Sequence, residues 1–182
     1  MKLFLTALTT LIIFCNGVRS QTISMTVDAI QQGKFKGENQ RQTDRIDLTA
    51  ATLEISTATS MGNGVGMATG RRQHQPFVIR KLAGASSPQF LQALISNEML
   101  KKVVIEFSGP NQNEEKGAGY VITLENVRVT SFKQSATVPE NTSIKVGTAP
   151  SPLMDEIKLI YQKITVECRT GNTMAVDDLT HI

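Results

Sequence analysis

Apolar residues in this chain recur at every second position in short runs, and glycine, proline or polar clusters separate the runs. Ile23, Met25, Val27 and Ala29 alternate with polar neighbours. Phe77 and Ile79 do the same with Lys81 on their face, as do Val103, Ile105 and Phe107. Side chains on an extended strand alternate between its two faces, so this period predicts half-buried antiparallel strands. Two runs change parity midway. Ile46 and Leu48 fall on one face of "RIDLTAATLEIS" and Leu53 and Ile55 on the other, which a bulge or corner near Ala50 and Ala51 would produce. In "YVITLENVRVT", Tyr120 to Thr130, the shift lies between Leu124 and Val127 and places a bulge near Asn126. Residues 157–168 read as a strand pair or one bent strand, with Ile164, Val166 and Cys168 on one parity.

One segment has a helical period. In "GASSPQFLQALISNEMLKK", Ser87 is a natural N-cap and Pro88 suits the first helical position. Phe90, Leu91, Leu94 and Ile95 form a stripe that is expected to bury against the sheet. Seven or more strands, closely spaced turn signals and one helix predict a mainly β chain, a closed or nearly closed antiparallel barrel or sandwich.

Between these elements lie two weakly apolar stretches. Met61 to Gly70, "MGNGVGMATG", carries Gly62, Gly64, Gly66 and Gly70. A phosphate-cradling loop needs Gly-x-Gly-x-x-Gly leading into a helix; here a strand follows, so a long exposed loop is the better reading. Gln134 to Pro152 is rich in Ser, Thr and Pro and reads as a second loop, within which Asn141-Thr142-Ser143 matches a glycosylation sequon.

The N-terminus follows different rules. Lys2 precedes an unbroken run of apolar residues and threonines from Leu3 to Phe14, and Val18 and Ser20 occupy the small-residue positions of a cleavage site. This is the layout of a secretory signal peptide over residues 1–20, leaving 21–182 as one domain. An uncleaved anchor and, through Cys15, a lipid attachment are the alternatives. Lys2 and Arg19 leave with the segment, so 19 basic residues become 17 against 16 acidic ones, a net charge of +1. No basic block remains beyond pairs such as Arg71-Arg72 and Lys101-Lys102, which excludes a duplex-binding face. One cysteine, Cys168, stays in the mature chain, so no internal disulfide forms; it is expected to face the core as a small hydrophobe, with an intermolecular bridge as the alternative.

Catalytic constellations are missing from the sequence. His74 and His181 have no second ligand at metal spacing, and His74 reads as a surface histidine. Gly-x-Ser-x-Gly does not occur. The pairs Glu114-Glu115, Asp155-Glu156 and Asp177-Asp178 read as solvated carboxylates, since neighbours on a strand point to opposite faces.

Three blocks, in order, carry a resemblance. "GRRQHQPFVIRKLAGASSPQFLQALISNEMLKKVVIEF" (Gly70 to Phe107), "YVITLENVRVTSFKQ" (Tyr120 to Gln134) and "IKLIYQKITVEC" with the later "DD" (Ile157 to Asp178) resemble the haemolysin-coregulated protein (Hcp) family, the tube proteins of bacterial type VI secretion. The resemblance implies an antiparallel β-barrel of two sheets with one α-helix on its side and a long extended loop. It implies no enzymatic activity, no cofactor and no metal. It also implies homohexameric rings that stack into a tube, a lumen for small effector proteins, and sheath and spike proteins as partners. The extended loop that would reach neighbouring copies corresponds to Met61, Gly62, Asn63, Gly64, Val65, Gly66, Met67, Arg71 and Arg72. Two features depart from the family. Its tube proteins are usually made without a signal peptide, which leaves open an exported periplasmic or secreted binding module that builds no tube. "YQKITVEC" also lacks the aromatic residue usual near Val166.

Overall fold

A computed structural model describes residues 22–38, 42–57, 72–109, 119–136 and 153–180. The strands are β1 (Thr22–Ala29), β2 (Gly33–Lys34), β3 (Ile46–Leu48), β4 (Ala50–Thr52), β5 (Ile55–Thr57), β6 (Arg72–His74), β7 (Phe77–Leu82), β8 (Met99–Ser108), β9 (Tyr120–Ser135), β10 (Met154–Ile160), β11 (Lys163–Cys168) and β12 (Thr173–Asp178). The alternating runs account for most of them, whereas β2, β6 and β12 lie where the sequence signalled no strand. One helix, α1 (Ser87–Ile95), joins β7 to β8 among the described residues.

Ten strands form one antiparallel sheet along the path β2-β1-β8-β9-β10-β7-β4, and β5 and β6 pair separately as a two-stranded ribbon. Strand β9 is the spine. Its first half lies between β8 and β11, and its second half pairs with β10. The switch occurs at the predicted parity break, where Asn126 adopts φ +53° and its side chain donates to Gln162, one of the two residues between β10 and β11. Asparagine tolerates this left-handed conformation better than most residues. The β8–β9 register continues unshifted across Asn126, so the expected bulge is not there; the register shift in β9 lies between Val129 and Ser131, opposite Leu159 and Lys158. A second break separates β3 from β4 at Thr49. β3 pairs with β1 and β4 with β7, so the parity change marks a change of partner strand.

The core collects the inward parity of each strand. Met25, Val27, Ile46, Phe77, Ile79, Val103, Ile105, Leu124, Val127, Ile157 and Leu159 are all buried. Phe35 and Phe90 meet edge to face, with centroids 5.0 Å apart, and dock α1 on the sheet. The helix is turned from the predicted stripe. Phe90 is buried and Leu94 partly so, but Leu91 is 41% and Ile95 72% exposed, while Ser87 and Ala93 take the inner face. Ser87 turns inward because its hydroxyl hydrogen-bonds to the buried carboxylate of Asp155, which rotates Leu91 and Ile95 toward solvent. Ser86 rather than Ser87 occupies the N-cap, so Pro88 falls at the second helical position instead of the first.

That carboxylate belongs to a polar cluster inside the sheet. Lys81 shares a face with Phe77 and Ile79, as its position predicts, and is directly opposite Asp155 in the β7–β10 register. Both residues are fully buried. Lys81 Nζ lies 3.4 Å from Asp155 Oδ2, 3.0 Å from Glu38 Oε1 and 3.1 Å from Ser87 Oγ. Asp155 is thus a core residue, not the solvated carboxylate expected. Buried ions persist when they are paired and hydrogen-bonded. Gly84 makes room for this arrangement, since a Cβ there would come within 2.5 Å of Glu38 Cγ.

Candidate subunit interface

The ribbon β5–β6 carries the one loop residue from the predicted contact set that falls among the described residues, Arg72, paired with Thr57. Met61, Gly62, Asn63, Gly64, Val65, Gly66, Met67 and Arg71 lie outside the described residues. So do the signal-like segment, the sequon and the pair Glu114-Glu115.

Arg72 is held by the end of the chain. Its Nε donates to Asp177 Oδ2 at 2.6 Å. The same oxygen lies 2.9 Å from Nε2 of His74, and Nδ1 of His74 lies 2.8 Å from the Tyr161 hydroxyl. His74 also stacks edge to face on Tyr161, with centroids 5.6 Å apart. Its side chain is only 7% exposed, so it is not the surface histidine expected. Both ring nitrogens are engaged. With Nε2–H donating to the carboxylate, Nδ1 accepts from the tyrosine hydroxyl, and no lone pair is left to act as a base.

The electrostatics keep this arrangement fixed. The hydrogen bond from Arg72 holds the Asp177 carboxyl below the usual range, partial burial opposes it, and the bond to His74 and the positive charge of Arg72 add to the lowering. Burial, helped by the negative charge of Asp177, pushes the Tyr161 hydroxyl up to about 12. Tyr161 therefore stays a neutral donor across the physiological range.

The strand carrying Asp177 is an edge. β12 pairs with β11 and, among the described residues, with no other strand. Asp177 sits on one face of it. Met174 and Val176 lie on the other, 69% and 52% exposed. An edge strand with exposed apolar side chains can accept an extended segment from another chain. Cys168, the last residue of β11, is a half-buried free thiol beyond the buried Ile164 and the partly buried Val166. The parity of the sequence put it on the inner face, but it lies too close to the strand end to be fully covered.

Sequence reasoning singled out neither Tyr161 nor Asp177 as a partner of His74. The signal was weak: a tyrosine between two strands and a tail aspartate, 87 and 103 positions away from His74. Among the described residues no group of three or more His, Cys, Asp or Glu could hold a metal ion. Also among them, no helix is long and apolar enough to cross a membrane.

Comparison with known proteins supplies the family. The model of the family described as "Type VI secretion system effector, Hcp" matches residues 25–168. The major exported protein of Pseudomonas aeruginosa is 29% identical over 113 residues, which cover 62% of this chain and 63% of that protein. The chain thus aligns with less than two thirds of that relative's length. Among solved structures, an Hcp protein superposes with a TM-score of 0.71 at 16% identity, over 86% of this chain and 98% of its own. The Hcp1 protein of the E. coli EAEC 042 pathovar gives 0.67 at 20% identity, over 87% and 99%. The secreted protein Hcp3 of Pseudomonas aeruginosa gives 0.63 at 19%, over 87% and 98%. At these identities the likeness concerns the fold. Taken with the family match over most of the sequence, the chain belongs to the Hcp family, whose members are structural, secreted proteins of type VI secretion and not enzymes.

Proposed function

We propose that this protein is a ring-forming subunit of a type VI secretion tube, with six copies per ring, rings stacked into a hollow tube, and small effector proteins carried in the lumen. The observation that carries the reading is the anchored ribbon: Arg72 and His74 fix β5–β6 to Asp177 on an edge strand whose other face exposes Met174 and Val176. Head-to-tail contacts of this kind close into a ring when the rotation permits. The loop from Met61 to Arg72 then contacts a neighbouring copy through Gly62, Asn63, Gly64, Val65, Gly66, Met67 and Arg71. In this reading residues 21–182 are one domain and its sheet a barrel, which is supported by β3 pairing with β1 while β4, one residue on, pairs with β7. Sheath and spike proteins are the outer partners. The reading involves no cofactor, nucleic acid or membrane after cleavage.

Native mass spectrometry and negative-stain imaging of the purified protein test this. Hexameric rings are expected, and a strict monomer at high concentration would overturn the reading. A second reading, an exported periplasmic or secreted module on the same fold, rests on the signal-like residues 1–20. N-terminal sequencing of exported protein separates the two: a start at Gln21 favours the module, whereas a start at Met1 in the cytosol favours the tube.

A further inference from the structure

The cluster under α1 contains an amine and a carboxyl in contact, away from solvent and with a second carboxylate on the same amine. Lys81 and Asp155 face each other across β7 and β10, both fully buried, with Nζ 3.4 Å from Oδ2. Glu38 Oε1 sits 3.0 Å from the same Nζ, and its other oxygen, Oε2, is buried without a hydrogen-bond partner. Asp155 is held on both oxygens: Gln134 Nε2 donates to Oδ1 at 2.9 Å, and the Ser87 hydroxyl donates to Oδ2.

We propose that Lys81 and Asp155 are joined after folding by an intramolecular isopeptide bond, with Glu38 moving the protons. The ionic form of the cluster keeps a fully buried ammonium against a fully buried carboxylate, in a low-dielectric interior that disfavours both charges. An amide in place of the Lys81–Asp155 ion pair removes two charges that burial disfavours.

The chemistry balances within the cluster. One ammonium proton passes from Nζ to Asp155, leaving an amine against a carboxylic acid. The nitrogen lone pair attacks Cγ. Glu38 takes a second proton from the nitrogen and returns it to the departing hydroxyl. The third proton stays on the amide, and one water leaves. Donors aimed at both Asp155 oxygens stabilise the negative charge that develops on the tetrahedral centre. The register holds nucleophile and carbon together before the reaction, which replaces a bimolecular encounter. Glu38 is part exposed, at 26% of its side chain, and gives the released water a way out. The bond would tie two neighbouring strands covalently in a domain whose described cysteine is a free thiol.

Denaturing intact-mass spectrometry of the full purified chain, followed by proteolysis and fragmentation, tests the proposal. The expected result is a mass one water below that of the sequence, after allowing for any processing at the N-terminus. A branched peptide joining the Lys81 and Asp155 segments is expected with it. D155A is expected to restore the full mass. E38Q is expected to keep Lys81 and Asp155 unlinked in most molecules while the chain stays folded. If D155A does not fold, the wild-type measurement still decides. A full sequence mass in folded wild-type protein overturns the proposal, and so does a water loss without the branched peptide. Neither result bears on ring formation, so the two ideas stand or fall separately.

Discussion

Nε2 of His74 lies 2.9 Å from Oδ2 of Asp177, 103 positions later in the chain, and this contact ties the ribbon β5–β6 to the final strand. Arg72 bonds to the same oxygen, so one carboxylate anchors two alternate positions of β6, Arg72 and His74, which share one face. A three-residue pairing such as β5–β6 is too short to be stable alone. Its position depends on Asp177.

Asp177→Asn is therefore expected to loosen the ribbon without unfolding the sheet. The amide keeps a hydrogen-bonding oxygen but loses the charge that Arg72 pairs with. The expected cost is about 1 kcal/mol, below the roughly 1.5–3 kcal/mol of a hydrogen bond to a charged group, because the Arg72 side chain is 41% exposed and solvent screens the pair. Hydrogen exchange is the direct measure: protection at Ser56 and Gln73 should fall while that at Ile105 and Leu124 stays. Equal protection in the variant would show that the ribbon is held by something else.

The same group predicts an acid limit. The Asp177 carboxyl titrates below its ordinary value because Arg72 and His74 bond its charged form. A lowered pKa in the folded state adds stability above the unfolded value near 3.8, and this is lost as pH falls through the folded value. Acid unfolding curves of wild type and Asp177→Asn should converge at low pH and separate toward neutrality.

Tyr161 sets the opposite limit. Its hydroxyl is raised to about 12, first by burial and then by the charge of Asp177. Here the folded value exceeds the unfolded one, so the contribution is intact below pH 10 and is lost as pH rises through the folded value of about 12. Tyr161→Phe is expected to remove this part of the alkaline slope, at the cost of the bond to His74. Thermal unfolding scanned across that window checks it, and an unchanged slope in the variant would refute the assignment.

These relationships show where the sequence was legible. Strand periodicity is a local property, so Phe77, Ile79 and Lys81 were readable as one face, and the parity break located the positive-φ Asn126, where β9 changes partner. Pairing between distant side chains leaves no such trace. Asp155 and Asp177 each sit next to a second carboxyl residue in sequence, yet Asp155 is fully buried and Asp177 is an anchor. The helix stripe misled for a related reason: Leu91 and Ile95 have the right spacing, but the bond of Ser87 to Asp155, 68 positions away, decides which side faces in. The glycine-rich loop, whose role came from family resemblance, lies outside the described residues apart from Arg72.

Glu98 offers a stability test away from the ribbon. It is 3% exposed, and its Oε1 accepts the backbone N–H groups of Gln31 and Gln32 at 2.6 and 2.9 Å. The Gln32 side chain donates to Oε2 at 2.8 Å. Burial alone would raise this carboxyl, but the bonds from Gln32 and Gln31 outweigh it and hold it low. Glu98→Ala strands two N–H donors of the β1–β2 turn, an expected loss of about 1–3 kcal/mol. Chemical denaturation measures it, and a loss within error of zero would mean that water replaces the carboxylate.

The exposed edge yields the prediction that bears most directly on assembly. Met174 and Val176 are 69% and 52% exposed, two positions apart on the face of β12 opposite Asp177. A charged residue at an exposed edge position costs a monomer little, within about 0.5 kcal/mol for a typical surface site. At a docking edge it opposes strand addition, since lysine on an edge blocks further pairing. Met174→Lys should leave the unfolding midpoint of the subunit nearly unchanged while lowering the fraction of assembled rings in native mass spectra. Assembly at the wild-type level would remove β12 from the interface and move the contact to another edge of the sheet. A large loss of subunit stability would instead show that Met174 packs within its own chain.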